Sequence, residues 1–361
     1  MKLIQSLDTN GARAAETFVH DGRRYLVIPQ LAMDVPGQPA KMTLGNSNID
    51  TLVFTWNDGR FVAHGTLPVP GGEDAEYFRI GEREFLATAS LRMGTGTGPY
   101  DLNCQSVVFE LEEGQFKPFQ SFPTFAAKQW TFFEAGGRRF LGLAQGAVLE
   151  GSEPRHPAKS VIYEWDGKLF QPFQEIDSSW GYNFAKFDVD GHEFLAYADN
   201  IAPAQIYRWT GTGFEPFQTL EGKTSRAFAF FRAAGQAWLA FACLHGDTVL
   251  LRWDGQRFAK HQVLSGPGGR ELHWMASDGE QGGKLVVVNF ILGTRDAPIP
   301  QVNSAIYRFE GEGLVLETEF PTLGATDAAV FNEGGHTYLV VSNSLSAEVR
   351  FATQSCVYQL D

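Results

Sequence analysis

One phrase recurs along this chain, and recurrence at a fixed period constrains a fold more than any single motif. Its clearest copy runs from Phe187 to Gln218, FDVDGHEFLAYADNIAPAQIYRWTGTGFEPFQ. It reads as the end of one strand, a tight turn, a second strand, a short loop, a third strand, another tight turn and a fourth strand. Asp190-Gly191 marks the first turn, because Gly tolerates the positive φ that two-residue hairpins need. Gln205 to Trp209 alternates, and Gly211-Thr212-Gly213 closes the second hairpin before Phe214.

Seven copies align on an aromatic or apolar anchor, followed four residues later by Gly and then by an apolar strand. The anchors are Phe18, Phe78, Phe133, Phe187, Phe231, Met275 and Phe331. In the second copy Gly81 comes one residue early; in the sixth, Gly279 precedes a small insertion before Leu285. A second element follows in each copy, beginning at Thr51, Ser106, Ser160, Gln205, Thr248, Ser304 and Ser355. Pro-Phe-Gln segments come next at 118–120, 172–174 and 216–218. Four strands per repeat of about 40–55 residues predict a propeller blade. The expectation is an all-β, seven-bladed β-propeller of four-stranded blades, a single domain over residues 1–361. The last copy stops at Leu360-Asp361 after its third strand. Residues 2–8, with Gln5-Ser6-Leu7, resemble the outermost strands elsewhere, so they are expected to complete that blade and close the ring.

The pattern F-x-x-D-G-x-x-Y-L-V, then S-x-I-Y-x-W-D-G-x-F, then P-F-Q, resembles the EAR repeat, also called the EPTP repeat. The best matches are Phe18 to Ile28, Ser160 to Gln174 and Phe187 to Gln218. The resemblance implies a seven-bladed propeller. Its better-known members are secreted animal proteins that bind other proteins, some with a metal ion in the central channel. The leucine-rich repeats and secretion signal of those proteins are not in this sequence, so the shape transfers and the extracellular role does not.

Composition limits the partners. The net charge is −13 and no Lys/Arg cluster appears along the chain, which argues against nucleic acid and against anionic membrane surfaces. Three cysteines, Cys104, Cys243 and Cys356, are odd in number and widely spaced, so no disulfide framework is expected. With no signal-peptide core at the N-terminus and no run of membrane-helix length, a cytoplasmic location is expected.

With the four strands of each blade lettered A to D outward from the axis, the Gly turns share one face, and the B-to-C loops and D-to-A connections share the other. The B-to-C loops are long in blades one, two, three, six and seven, so a small molecule or protein is expected to bind on that face, around the channel mouth. Two polar rows precede the anchors on the innermost strands. Four residues ahead stand Ala14, Asp74, Gln129, Asn183, Ala227, Glu271 and Asp327; two ahead stand Glu16, Glu76, Thr131, Ala185, Ala229, His273 and Ala329. Period-two alternation puts both rows on one side of the strand. The acids Glu16, Asp74, Glu76, Glu271 and Asp327 would repel in a narrow channel, and oxygen ligands suit Ca²⁺ or Mg²⁺. Alternatively they are simply solvated or paired with Arg13, Lys186 or Arg226.

Trp180, Tyr182, Asn183, Trp130 and Trp274 are the candidate ligand contacts, while Trp56, Trp165, Trp209 and Trp253 share one strand position and read as inter-blade packing. Arg295-Asp296 and Tyr100-Asp101 lie in long loops within reach of a ligand. Polar residues ending the second strands, Gln30, Ser90, Gln145, Asp199, Cys243, Asn289 and Asn343, read as caps. Cys243 and His245 have the spacing of a nucleophile and base, though the short loop favours a buried thiol with no role. Gly94 to Pro99 lacks the ending of a phosphate loop. Two functions follow: a recognition module, or a cofactor-independent lyase, isomerase or cyclase with His273, Glu271 and Asp327 as acid/base groups and Trp180 and Trp274 as apolar walls.

Overall fold

The computed structural model describes residues 1–222, 224–277 and 282–361; Gly279 of the sixth repeat lies outside them. Strand formation follows the repeat. The Asp21-Gly22 and Asp190-Gly191 turns carry positive φ at both residues, which matches the twist of a two-residue hairpin. Blade two makes the same connection with Gly81 at the first turn position, and Phe78 still pairs with Phe85. The early glycine thus changes the turn and leaves the register alone.

The described residues form seven antiparallel four-stranded sheets, each ordered A to D. The A strands of blades one to seven are Glu16–His20, Gly72–Ile80, Ala127–Ala135, Gly181–Val189, Ser225–Ala233, Gly269–Ala276 and Ala325–Glu333. They contact their neighbours around the ring and so line its axis. Lys2–Asn10 pairs antiparallel with Ala352–Gln359 and supplies strand D of blade seven, as the sequence led one to expect. Strand pairing thus joins the two ends of the chain within one blade and closes the ring.

Apolar residues alternate into the spaces between blades. The anchor of one blade stacks on the residue just before the next blade's anchor: Phe18 on Tyr77, Phe78 on Phe132, Phe187 on Phe230 and Phe231 on Trp274. Offset aromatic pairs of this kind contribute about 0.5–1.5 kcal/mol beyond their buried area. The four equivalent Trp side chains pack across seams too, Trp165 on Phe85, Trp209 on Phe140, Trp253 on Phe194 and Trp56 on Phe331.

The Gln of the Pro-Phe-Gln segment has a specific task. Gln174 donates from Nε2 to the Phe214 carbonyl at 2.7 Å and accepts the Phe214 N–H at 2.8 Å. Gln120 does the same with Phe170, Gln218 with Phe258 and Gln262 with Leu314. Each amide therefore replaces the strand pairing that two neighbouring D strands cannot make directly.

Candidate functional site

The A strands do not alternate cleanly near their starts. In blades two to seven the register slips by one residue there, for example between Gly72 opposite Ser90 and Asp74 opposite Ala89. The extra residue in each bulge is Glu73, Lys128, Tyr182, Arg226, Arg270 or Thr326. In blade one the bridge between Ala12 and Gln30 leaves Arg13 in the same place. A bulge re-aims a side chain that the pleat would send elsewhere. One residue from each blade thus joins a ring at the loop-face end of the channel.

Glu73 is the hub of this ring, its side chain wholly buried. Arg13 grips it with Nε at 2.8 Å and Nη2 at 3.1 Å, while Lys128 Nζ lies at 3.2 Å and Arg270 Nη2 at 3.3 Å. Burial alone would raise the Glu73 carboxyl, but Arg13, Lys128 and Arg270 together hold it at about 2. The Tyr182 ring lies within cation–π range of three of the cations, with Arg226 3.9 Å, Arg270 4.9 Å and Lys128 5.0 Å from its centroid.

This layer floors a pocket of about 370 Å³ on the loop face. Roomier hollows exist on the flanks of the ring, but this is the one into which all seven blades project. Its walls are apolar: Leu31, Leu244, Phe290, Ile291, Leu345 and Phe351 pack as one cluster, and Leu102 with Ala126 form another. Arg92 is pinned at the rim by Ser47 Oγ and the Thr43 and Leu44 carbonyls, and its guanidinium stacks on Tyr100. Arg295 lines the same pocket. The indole N–H of Trp180, also in the lining, is buried and has no hydrogen-bond partner among the described residues.

Below the ring the channel narrows to a space of about 30 Å³, room for a water molecule. Of the five predicted acids, Asp74, Glu271 and Asp327 line this space, and Glu16 and Glu76 stand two residues further along their strands. Most of them spend an oxygen on the backbone of the following blade: Asp74 accepts from Trp130 N, Glu76 from Phe132 N, Glu16 from Tyr77 N and Asp327 from Ala15 N. Gln129 does likewise for Phe184 N. In blades one to four the polar rows therefore satisfy backbone groups of the inner strand, which has no further strand to pair with. Burial raises all five carboxyls, Glu76 to about 7, Glu271 to about 8 and Asp327 to about 6, with Glu16 and Asp74 also well above the usual range. Among the described residues, no group of three or more His, Cys, Asp or Glu side chains is placed to hold a metal ion.

Of the predicted ligand contacts, Trp180 and Tyr182 meet in the pocket, together with Tyr100 and Arg295 from the long loops. Trp130 does not reach it. Its indole is 1% exposed, packs on Phe122, and donates to the Thr88 carbonyl at 3.0 Å. Trp274 serves as the stacking partner of Phe231, and Asn183 is buried in the channel wall. Glu271 and Asp327 are close enough to perturb each other, whereas His273 is lowered by burial alone. His245 lines the pocket, but burial pushes the Cys243 thiol up to about 11, far from a thiolate. Four of the seven expected caps accept backbone N–H groups: Gln30 from Asn10, Gln145 from Phe125, Asn343 from Leu323, and Asp199 from Ser179 and Trp180; among the described residues, the Ser90 hydroxyl has no partner.

Sequence reasoning missed the cationic ring because strict alternation sends the residue five before each anchor away from the channel. The signal was present: that row reads Arg13, Glu73, Lys128, Tyr182, Arg226, Arg270, Thr326, with no apolar aliphatic among the seven.

Fold and site together define a closed seven-bladed propeller with an apolar, cation-floored pocket at one mouth. The EPTP domain matches residues 115–166, 169–210 and 213–254, each running from strand D of one blade to strand C of the next. Residues 115–254 thus carry three EPTP repeats, and the relatives that the chain resembles are named for their EAR repeats. The chain is 30% identical over 199 residues to the Thrombospondin-type laminin G domain and EAR repeat-containing protein of Homo sapiens, a match covering 54% of this chain and 26% of the human protein. The Mus musculus protein of the same name is 28% identical over 170 residues, 46% of this chain and 24% of the mouse protein. The matches thus span about a quarter of the length of those relatives. Sqt1 of Saccharomyces cerevisiae shares the fold, with a TM-score of 0.59 over 99% of both chains at 11% identity.

Proposed function

We propose that this protein is a binding propeller whose loop-face pocket takes up a small organic anion with an apolar body. The observation that carries this reading is the charge of the pocket floor. Arg13, Lys128 and Arg270 surround one ionised carboxylate, Glu73, and Arg226 adds a fourth cation over the Tyr182 ring, in a chain whose net charge is −13; of the four, Arg13, Lys128 and Arg226 line the pocket itself. Buried like charges are costly unless paired, and a ligand carboxylate or phosphate would offset the excess. The acids one layer down are held toward their neutral forms, so they offset only part of it. Above the floor, aliphatic and aromatic walls would shelter an apolar body, and the Trp180 N–H offers a spare donor.

The test is calorimetric titration with octanoate, phenylacetate and inorganic phosphate. The two amphipathic anions are expected to bind more tightly than phosphate, more weakly at high salt, and at least tenfold more weakly to Arg226→Gln. Absence of heat and of thermal stabilisation with all three would sink the reading. A protein partner presenting an acidic side chain is the second reading, favoured by exposed Val148, Ile201, Leu292 and Ile299 on the same loops. Val148→Asp with Ile299→Asp would abolish such a complex and leave small-anion binding unchanged.

A further inference from the structure

We infer that Tyr182 is a proton-transfer group acting on a carbon acid held in this pocket, which makes the propeller an enzyme of the lyase or isomerase type. The inference rests on the anion-binding reading above and moves the chemistry away from His273, Glu271 and Asp327.

Position comes first. Tyr182 occupies the bulge of blade four and lines both the wide pocket and the throat beneath it. Its hydroxyl has no hydrogen-bond partner among the described residues, although the polar groups around it are heavily engaged. Arg226 faces the ring from blade five, Arg270 from blade six and Lys128 from blade three. Glu73 of blade two opposes them, and Arg13 neutralises Glu73 from the far side. Arg226 is itself held by Asn200 at 2.6 Å, so the stacked guanidinium is fixed in place. Burial alone would push the phenol up, but Arg226, Lys128 and Arg270 bring it down to about 7. A phenol poised near neutrality can take a proton and return it, as a general base must.

The substrate class follows from the surroundings. A carboxylate would sit against the cations and an apolar substituent against the Leu31–Phe351 walls. The acidic C–H must lie next to a carbonyl, since only then is its anion stable enough to form. A 2-oxo carboxylate with an apolar side chain meets all three conditions. The step balances without a co-reactant. The Tyr182 phenolate oxygen forms an O–H bond as the C3–H bond breaks. The C–H electron pair becomes the C2–C3 π bond of an enolate, and the carbonyl π pair moves onto oxygen. That developing charge is stabilised by the adjacent guanidinium groups. Return of the proton to another position isomerises the substrate; loss of a leaving group beyond C3 eliminates it.

The experiment uses the full chain with 4-methyl-2-oxopentanoate and 4-phenyl-2-oxobutanoate as probes in D₂O. Binding is measured by calorimetry, and exchange of the C3 protons by proton NMR. Exchange is expected at least about a hundredfold faster than in buffer, a typical general-base contribution. It should rise through an ionisation near pH 7 and vanish in Tyr182→Phe, which still binds both acids. Tyrosinate absorbance near 295 nm gives a readout independent of turnover: one titration near neutrality in the wild type, absent in Tyr182→Phe. Binding without exchange above buffer, or exchange unchanged in Tyr182→Phe, overturns the proton-transfer role alone. No binding of either acid overturns the anion-binding reading and this inference with it. No tyrosine titrating below pH 9 overturns the inference on its own.

Discussion

Gln5 and Phe61 hold each other by two hydrogen bonds, Gln5 Nε2 to the Phe61 carbonyl at 2.7 Å and Phe61 N–H to Gln5 Oε1 at 2.8 Å. Gln5 lies in the strand that completes blade seven and Phe61 in strand D of blade one, so the pair latches the seam where the ring closes. Gln120, Gln174, Gln218 and Gln262 repeat it at four other seams.

Removing a latch leaves backbone groups of a part-buried seam unpaired. Gln174→Ala is expected to cost about 1–3 kcal/mol in urea unfolding. The converse is more telling. Gly65 faces Val53 as Gln174 faces Ile162, but glycine has no side-chain amide with which to latch blade one to blade two. A Cβ at Gly65 would meet nothing within 4 Å. Gly65→Gln is therefore expected to latch Phe116 and raise stability by about 1 kcal/mol; a loss of stability would show that side-chain identity is not what the latch depends on.

Glu73→Gln would strip three buried cations of their counter-charge. A loss of about 3–5 kcal/mol is expected from denaturant midpoints. Added phosphate should restore part of it, because an anion from solvent can take up the freed cations. A variant as stable as the wild type would mean that the cluster does not need its carboxylate.

The pH dependence of stability should have its maximum on the acid side of neutrality. Glu73 is lowered, so its contribution is complete above the unfolded carboxyl range near 4.5 and fades as pH falls toward 2. The five channel acids are raised, so the folded state binds more protons than the unfolded one between about pH 4.5 and 7, and stability falls as pH climbs through that window. His245 and His273 are lowered and act in the opposite sense below 6.5, but they are two groups against five. Tyr182 opposes the acids only above about 7. Thermal midpoints should thus decline from about pH 5 to 7, and Glu76→Gln with Glu271→Gln should flatten that decline.

Two tryptophans separate the pocket from the core. Trp130→Phe loses the bond to the Thr88 carbonyl and should cost about 1–3 kcal/mol while leaving anion affinity unchanged. Trp180→Phe should weaken anion binding with little change in the unfolding midpoint. The reverse pattern would place the ligand elsewhere.

The architecture was legible because each blade repeats the same turn glycines, anchors and outer glutamine, so errors in one copy are corrected by the others. Even Gly81, out of step in sequence, left Phe78 and Phe85 paired. The candidate site was only half legible. Trp180 and Tyr182 stood out as aromatics in a D-to-A connection, and they do meet in the pocket. Glu73, Lys128 and Arg270 did not, and Arg13 and Arg226 stood out only as partners for the channel acids, because a bulge is set by backbone pairing and breaks the period-two rule on which the rows were drawn. Trp130 and Trp274 misled for a related reason: at an inner strand, odd-numbered steps from the anchor face the neighbouring blade, not the axis.

The bulge itself separates two kinds of change. Its residue stands outside the regular pairing of strands A and B, so the pairing does not dictate the seven letters Arg, Glu, Lys, Tyr, Arg, Arg and Thr at the mouth; they answer to one another, as Glu73 and its three cations do, and must change together. Repeat propellers of this build carry an editable address on a fixed frame: duplication and drift can respell what the pocket accepts without redrawing the wheel that holds it.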